Sequence, residues 1–251
     1  MTDGSHRRAP TLDGRLSAAM ALAEGTQVFA DIGADHGRLS AVLLLSGARR
    51  ALVADVSAAA LEKARGRLRA LELDKRATFA VADGLAALDA LEQVPDTVFV
   101  LGMGGETICG ILQRGYARLQ GAALILGAQT DLPMVRRTVC EVGYRIRREL
   151  IASAGGRDYV LMRCTPALAD EAAYTERECV LGPGLLMDPS PEWRRVLERR
   201  RRLLEQEIAA MERAGLDKDR ERLALSGREL AYVSGQLRRM QEPEAEGGGA
   251  P

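Results

Sequence analysis

The stretch YRIRRELIASAGGRDYVLMRC, residues 144–164, decides the architecture. Tyr144–Ala152 and Asp158–Cys164 are two apolar-rich runs of strand length, and Ser153–Arg157 between them carries Gly155-Gly156. Two such runs joined by a short glycine-bearing loop predict an antiparallel hairpin, because tight hairpin turns need positive φ angles that glycine adopts without a Cβ clash.

Upstream of the hairpin, short apolar runs alternate with segments of helical length. Strands are predicted at Val28–Ile32, Ala51–Ala54, Thr78–Val81, Thr97–Leu101 and Ala123–Leu126. Helices are predicted between them, at Arg38–Ser46, Ala58–Leu73, Leu85–Leu91, Glu106–Gln113 and Leu132–Val142. This alternation argues for βαβ units and a parallel sheet covered on both faces, an α/β fold. An amphipathic helix at Leu12–Glu24, with Leu16, Met20 and Ala23 at helical spacing, stands ahead of the series and stops at Gly25. An ordinary dinucleotide-binding sheet does not end in an antiparallel hairpin.

Downstream, the composition changes beyond Pro166. Gly182-Pro183-Gly184 punctuates a connector, and Pro189 and Pro191 precede a long charged stretch from Trp193. Leu197, Leu204, Ile208 and Met211 recur at helical spacing, Gly215 breaks the pattern, and Leu223, Leu230, Val233 and Leu237 resume it. Two long helices that bury these stripes against each other predict a helical hairpin or coiled coil. The expected organisation is a flexible leader at 1–11, an α/β domain at 12–166, a connector at 167–190, the helical hairpin at 191–241 and a disordered tail at 242–251.

Composition narrows the function classes. The chain has 35 basic and 35 acidic residues, so a nucleic-acid site would need local clusters of arginine rather than bulk charge. Candidate clusters are Arg145, Arg147 and Arg148, then Arg194 and Arg195, then Arg199–Arg202, the last interleaved with Glu198 and Glu205 and equally readable as a solvated, ion-paired helix. Cys109, Cys140, Cys164 and Cys179 form no C-x-x-C pair, which predicts reduced thiols and no zinc site. No apolar run is long enough for a signal peptide or a membrane span, so a cytoplasmic protein is expected.

The chemistry gathers at strand ends. After the first strand comes Asp31-Ile32-Gly33-Ala34-Asp35-His36-Gly37, a glycine turn at the carboxyl end of a parallel strand, where α/β sheets bind ligands. Asp35 stands where a second glycine of G-x-G-x-x-G would sit, and its charge opposes a pyrophosphate; Asp31 suits a cationic amino-acid moiety. Asp55 ends the second strand, roughly 20 residues on, where an acid can accept ribose hydroxyls or cap the next helix. Asp83-Gly84 ends the third, again a ligand contact or an N-cap, and Gly102-Met103-Gly104-Gly105-Glu106 follows the fourth. Three acids at the ends of three successive strands face one crevice and point to a nucleoside-containing cofactor.

These residues resemble the TrmK family of tRNA adenine-N1 methyltransferases, which modify position 22. Asp31 to Leu39 resembles the family's "DIGSDHAYL" turn, and Gly102 to Gly105 matches its "GMGG". Asp13-Gly14-Arg15-Leu16 resembles the leading "LS-x-RL" element. Ala128-Gln129-Thr130-Asp131 with Val135-Arg136-Arg137 resembles "SPQSD-x-x-x-VRR", and Gly182, Pro183, Leu185 and Leu186 resemble "GP-x-LL". The chain departs from the pattern at Ala34, where the family has Ser, and at Arg38, where it has a Tyr able to stack on the target base; a Gln-Pro-Asn found in some members is missing.

The resemblance implies a class I methyltransferase sheet, Rossmann-like and closed by the antiparallel hairpin, and S-adenosyl-L-methionine as cofactor. The expected cofactor contacts are Asp31, Gly33, Asp55, Val56, Asp83, Gly84, Gly102, Met103 and Gly104. Asp35 and His36 are the expected catalytic pair at the acceptor pocket. Arg15, Arg38, Gly105, Arg199 and Arg200 are the expected substrate contacts; no metal or membrane is implied, and tRNA is the expected partner. Two other readings stay open: a class I methyltransferase acting on another RNA or a small molecule, and a noncatalytic cofactor-binding scaffold whose C-terminal helices recruit a protein or a second copy.

Overall fold

The structure, a computed structural model, describes residues 11–214 and 220–241. Most of the expected leader, the glycine break at Gly215 and the expected tail lie outside the described residues. The chain divides into two compact units, Met1–Ala173 and Tyr174–Pro251.

The first unit opens with α1 (Gly14–Leu22) and then alternates β1 (Val28–Ile32), α2 (Arg38–Leu45), β2 (Arg50–Asp55), α3 (Ala58–Ala70) and β3 (Ala77–Val81). It continues through β4 (Thr97–Met103), α4 (Gly105–Gly115), β5 (Ala123–Ala128) and α5 (Leu132–Glu141), and closes with β6 (Tyr144–Ala154) and β7 (Arg157–Pro166). The sheet runs in the order β3-β2-β1-β4-β5-β7-β6, with β1 to β5 mutually parallel and β7 antiparallel to both β5 and β6. That order and polarity are those of the class I methyltransferase sheet.

Helices on both faces explain the runs of uninterrupted apolar residues. β1 and β5 are buried along their whole length, and Phe29 on β1 meets Phe99 on β4 edge to face with ring centroids 6.0 Å apart. The chain leaves β1 in one direction to β2 and returns on its other side as β4. The carboxyl ends of β1 and β4 therefore flank the switch point where such sheets open a crevice.

Two local readings need correction. The segment expected as a helix at Leu85–Leu91 is a 3₁₀ stretch, Gly84–Ala90, with i→i+3 rather than i→i+4 bonding. The hairpin loop is shorter than Ser153–Arg157: Ala154 pairs with Arg157, leaving Gly155 and Gly156 at φ 57° and 74° as a two-residue turn. Both central positions at positive φ match the strands' right-handed twist, so the strands zip further than residue type alone suggests. The hairpin also carries a bulge, since Ile146 faces Cys164 and Arg148 faces Arg163, with Arg147 the extra residue on β6.

The second unit contains α6 (Glu176–Leu181), α7 (Pro191–Ala214) and α8 (Arg220–Arg239). Thr175 and Glu178 form a reciprocal capping box at the start of α6, within the segment expected to be a plain connector. α7 and α8 run antiparallel: the Arg194 guanidinium donates to the Met240 carbonyl, and Arg200 pairs with Glu229 at 2.6 Å. Leu197, Leu204, Val233 and Leu237 from the expected stripes are buried.

Candidate functional site

A cavity of about 580 Å³ opens at the carboxyl ends of the parallel strands, within the first unit. Asp31, Gly33, Asp35, His36 and Arg38 line it from the β1 turn, and Asp55 and Val56 from the end of β2. Asp83 and Gly84 contribute from the end of β3, Gly102 and Met103 from β4, and Arg15 from α1. The order of the strands thus brings together residues as distant in sequence as Arg15 and Met103.

The acids are held in distinct ways. Asp31, the residue before the end of β1, is 5 % exposed, and its Oδ2 accepts the Ser40 hydroxyl at 2.6 Å from the first turn of α2. Burial penalises its charged form and pushes its pKa up to about 6, with the nearby Asp55 carboxylate adding to the rise. Asp55 accepts the Ser57 amide at 2.8 Å through Oδ1 and the Asp35 amide at 3.2 Å through Oδ2. Each carboxylate oxygen keeps acceptor capacity after one such bond. Ser57, not Asp55, supplies the side-chain cap of α3. Asp83 makes no cap bond and is instead held by the Arg114 guanidinium of α4 at 3.1 and 3.3 Å.

Asp35 and His36 form an exposed dyad at the cavity wall, with Asp35 Oδ2 2.7 Å from His36 Nδ1. Asp35 has φ 47°, an uncommon left-handed backbone for a non-glycine residue, and its amide donates a hydrogen bond to Asp55 Oδ2. The other turn amides are engaged too. Gly33 and Ala34 both donate to the Ala54 carbonyl, at 2.8 and 3.0 Å, and Gly37 donates to Ala34 at 2.8 Å.

This geometry selects among ligands. Four carboxylates and two arginines line the cavity, and the turn amides at 33, 34, 35 and 37 bond to the protein itself, so a diphosphate finds repulsion where a dinucleotide fold offers donors. A cationic amino-acid group beside Asp31 would relieve a buried charge, and a ribose diol matches the spare lone pairs of Asp55. The residues present fit an adenosine bearing a sulfonium and an amino-acid tail.

Gly104 and Gly105 sit just outside the cavity wall. Gly104 is the N-cap of α4, and a Cβ on Gly105 would stand 2.6 Å from the Thr130 carbonyl oxygen. The tight approach of α4 to the loop after β5 therefore requires glycine at 105, a packing reason for part of the GMGG sequence. The Gly105 amide donates to Thr130 Oγ1 at 3.1 Å.

The arginine clusters divide. On the hairpin, Arg145 is buried and donates to the carbonyls of Tyr144, Glu171 and Ala172, while Arg147 grips Glu171 with both terminal nitrogens at 2.6 and 2.8 Å. Neither presents a free guanidinium, which corrects their reading as phosphate contacts; Arg148 is exposed. In the second unit Arg200 is held by Glu229, and Arg201 lies 3.7 Å from Glu205, whereas Arg199 and Arg202 are exposed. The first unit's cavity does not include Arg199 or Arg200.

Sequence reasoning passed over Ser40 and Arg114, and met Gln129 only as part of a family-like element, without assigning it a role in the site. Ser40 and Arg114 act through Asp31 and Asp83, and no spacing rule links residues on separate elements; Gln129 follows β5, where an exposed polar side chain at a strand end was the available signal. Among the described residues no group of His, Cys, Asp and Glu is arranged to hold a metal ion, and no helix is long and apolar enough to cross a membrane.

The model of the TrmK family, tRNA (adenine(22)-N(1))-methyltransferase, matches residues 29–226. A Mycoplasma pneumoniae protein provisionally described as a tRNA methyltransferase is 28 % identical over 170 residues, 67 % of this chain and 78 % of the relative. Among solved structures, the B. subtilis m1A22 tRNA methyltransferase TrmK superposes with a TM-score of 0.78 at 20 % identity, covering 90 % of this chain and 99 % of its own. M. capricolum TrmK, solved with the cofactor product S-adenosyl-homocysteine, superposes with a TM-score of 0.75 at 18 % identity, covering 92 % and 100 %. With its sheet order, its acid-lined crevice and a family match over most of its length, the chain belongs to the TrmK family of S-adenosyl-L-methionine-dependent tRNA (adenine-N1) methyltransferases.

Proposed function

We propose that the cavity at the β1–β4 switch point is where this chain transfers a methyl group to N1 of an adenine, at position 22 of tRNA, and that Asp35 and His36 border the acceptor. The observation that carries this is the acid-lined wall with its turn amides turned back onto the protein. S-adenosyl-L-methionine, when bound, supplies a methyl carbon activated by a sulfonium. Asp55 and Asp83 orient the nucleoside end, Asp31 takes the ammonium, and the Gly102-Met103 turn lets the backbone approach the reacting centre.

Adenine N1 carries an in-plane lone pair and needs no deprotonation before attack. The protein's main task is alignment, and excluding water from a well-oriented pair can lower the barrier by several kcal/mol. Positive charge develops on the base as the new bond forms, so the Asp35 carboxylate stabilises it electrostatically. Its contact with His36 Nδ1 orients the imidazole, leaving Nε2 as a candidate partner for the adenine amino group. Reaching N1 requires extruding the base from its stack. In this reading Arg38 at the cavity and, in the second unit, the exposed Arg199 and Arg202 of α7 contribute phosphate contacts. The proposed tRNA substrate is the ground for a cytoplasmic location in this reading.

The test is methyl transfer from labelled donor to unmodified tRNA, with the product nucleoside mapped. N1-methyladenosine at position 22 is expected. Asp35→Asn should slow transfer on the order of 100-fold with donor affinity nearly unchanged; unchanged turnover removes Asp35 from the transfer step.

A further inference from the structure

We infer that Gln129 reads the acceptor base, its side-chain carboxamide pairing with the N6 amino group and N7 of the adenine while N1 faces the methyl donor. This deepens the proposed reading and rests on it.

Among the described residues that line the cavity, Gln129 alone carries a side-chain carboxamide. It is the first residue after β5 and is exposed, and among the described residues its carboxamide makes no hydrogen bond. The backbone beneath it is tied on both sides. The β4–β5 ladder slips at Gly102, so that Leu101 faces Gly127 and Met103 faces Ala128, and the Gln129 backbone N–H then donates to the Met103 carbonyl at 2.9 Å. One residue on, Thr130 Oγ1 accepts the Gly105 amide at 3.1 Å, at the start of α4. A ladder irregularity beside a site re-aims a side chain, and here it presents a free carboxamide from a fixed stem. Asp55 and Asp83, which orient the donor's nucleoside in the proposed reading, stand at β2 and β3. In the sheet order β5 is three strands beyond β2, about 14 Å at the usual strand spacing. Gln129 therefore borders the end of the cavity left for the acceptor.

Methylation at N1 dictates which edge of the base can be read. The N1 lone pair must meet the methyl carbon, so recognition is left to the side bearing N6 and N7. There adenine sets a donor next to an acceptor, and a carboxamide answers both: Oε1 accepts from N6 and Nε2 donates to N7. Guanine offers two acceptors at the same edge, and its O6 would oppose Oε1. Arginine has no acceptor and an ionised acid no donor, while the Thr107 hydroxyl reaches one atom rather than two. The amino group has one hydrogen on each side, so this pairing leaves the N1-side hydrogen for His36 Nε2. As the new N–C bond forms, the C–S bonding pair leaves with sulfur and positive charge spreads from N1 to N6. A more positive N6 is a stronger donor, so the bond to Oε1 tightens in the transition state.

The test uses the full chain and two synthetic tRNAs that differ at position 22, one with adenosine and one with 7-deazaadenosine, which keeps N1 and N6 but lacks N7. The quantity read is the ratio of kcat/KM on the two, and comparing ratios between variants cancels the intrinsic reactivity of each base. Gln129→Leu should lower the wild-type ratio on the order of 10-fold. Gln129→Glu keeps the N6 acceptor without the N7 donor and should fall at or below the ratio of the leucine variant. Affinity for the two tRNAs, measured with S-adenosyl-homocysteine present, should shift in the same direction. S-adenosyl-homocysteine affinity itself should stay within about twofold of wild type in both variants. A ratio that keeps its wild-type value in the variants, whether or not activity falls, would overturn the inference. So would a large loss of S-adenosyl-homocysteine affinity, which would place Gln129 in the donor's share of the cavity. If wild type methylated neither tRNA, the proposed function itself would fail, an outcome distinct from a failure at Gln129.

Discussion

The two halves of the sheet treat charge in opposite ways. At the carboxyl ends of β1, β2 and β3, Asp31, Asp55 and Asp83 are oriented by protein donors yet keep lone pairs facing a cavity. On the antiparallel half, Arg136 of α5 and Glu149 of β6 are both fully buried and bonded at 2.8 Å, and Arg145 and Arg147 are bound to carbonyls and to Glu171. The same residue types serve a site in one half and hold the architecture in the other. What separates them is residual bonding capacity, which depends on partners in space rather than on the residue itself.

Breaking the structural half should produce the largest effect. Glu149→Ala leaves the Arg136 charge buried without its carboxylate, and unfolding in denaturant should show a drop of about 3–5 kcal/mol. Replacing both, Arg136→Met with Glu149→Leu, should recover much of that drop, because two apolar groups leave no uncompensated charge. Donor affinity of the folded fraction should stay near wild type in the double variant; a large decrease there would tie the hairpin to the site and blur the contrast.

On the site half, Asp31→Asn should weaken donor binding on the order of 10- to 100-fold, read by calorimetry. The pKa of Asp31 sharpens this. Its folded value of about 6 lies above that of an unfolded aspartate, so the folded state holds more protons between roughly pH 4 and 6, and Asp31 contributes stability that declines as pH rises through that window. The difference between wild-type and Asp31→Asn stability curves should show that decline. Binding of a cationic ligand should tighten over the same rise, as the carboxylate ionises. A flat difference curve would mean that Asp31 titrates normally.

A smaller effect is expected at the boundary between site and scaffold. Gly105→Ala places a Cβ against the Thr130 carbonyl and should cost about 1–3 kcal/mol of stability, with slower methyl transfer as the α4 start shifts. The smallest effect concerns RNA. Neutralising Arg199 and Arg202 should lower the salt slope of tRNA binding by about 0.9 for each phosphate that these arginines neutralise, whereas Arg147→Gln should leave the slope in place. Equal effects on the slope would show that ion-paired arginines of the hairpin also reach RNA.

The sequence was most legible where one periodicity dominates. β1 appears at the residues its apolar run marks, Val28–Ile32, all of them buried, with Asp31 the one polar side chain among them. The acids at strand ends were legible because each stands in or within two residues of the end of a strand that its neighbours mark. The lengthened hairpin and the 3₁₀ connection depended on turn geometry that residue type only partly dictates. Ser40 and Arg114 were hidden because their partners lie 9 and 31 positions away. The charge of Arg145 and Arg147 was plain in the sequence, but the segment around Glu171 that absorbs it was not.

Function in this chain stands on one binding event, and titrating ligand-free, full-length protein with S-adenosyl-homocysteine in a calorimeter examines it most directly. Saturable uptake of one molecule per chain, abolished or strongly weakened by Asp55→Ala, is the predicted result. Absence of heat together with an unshifted melting temperature, or undiminished binding by the Asp55→Ala variant, would contradict the assignment of the crevice.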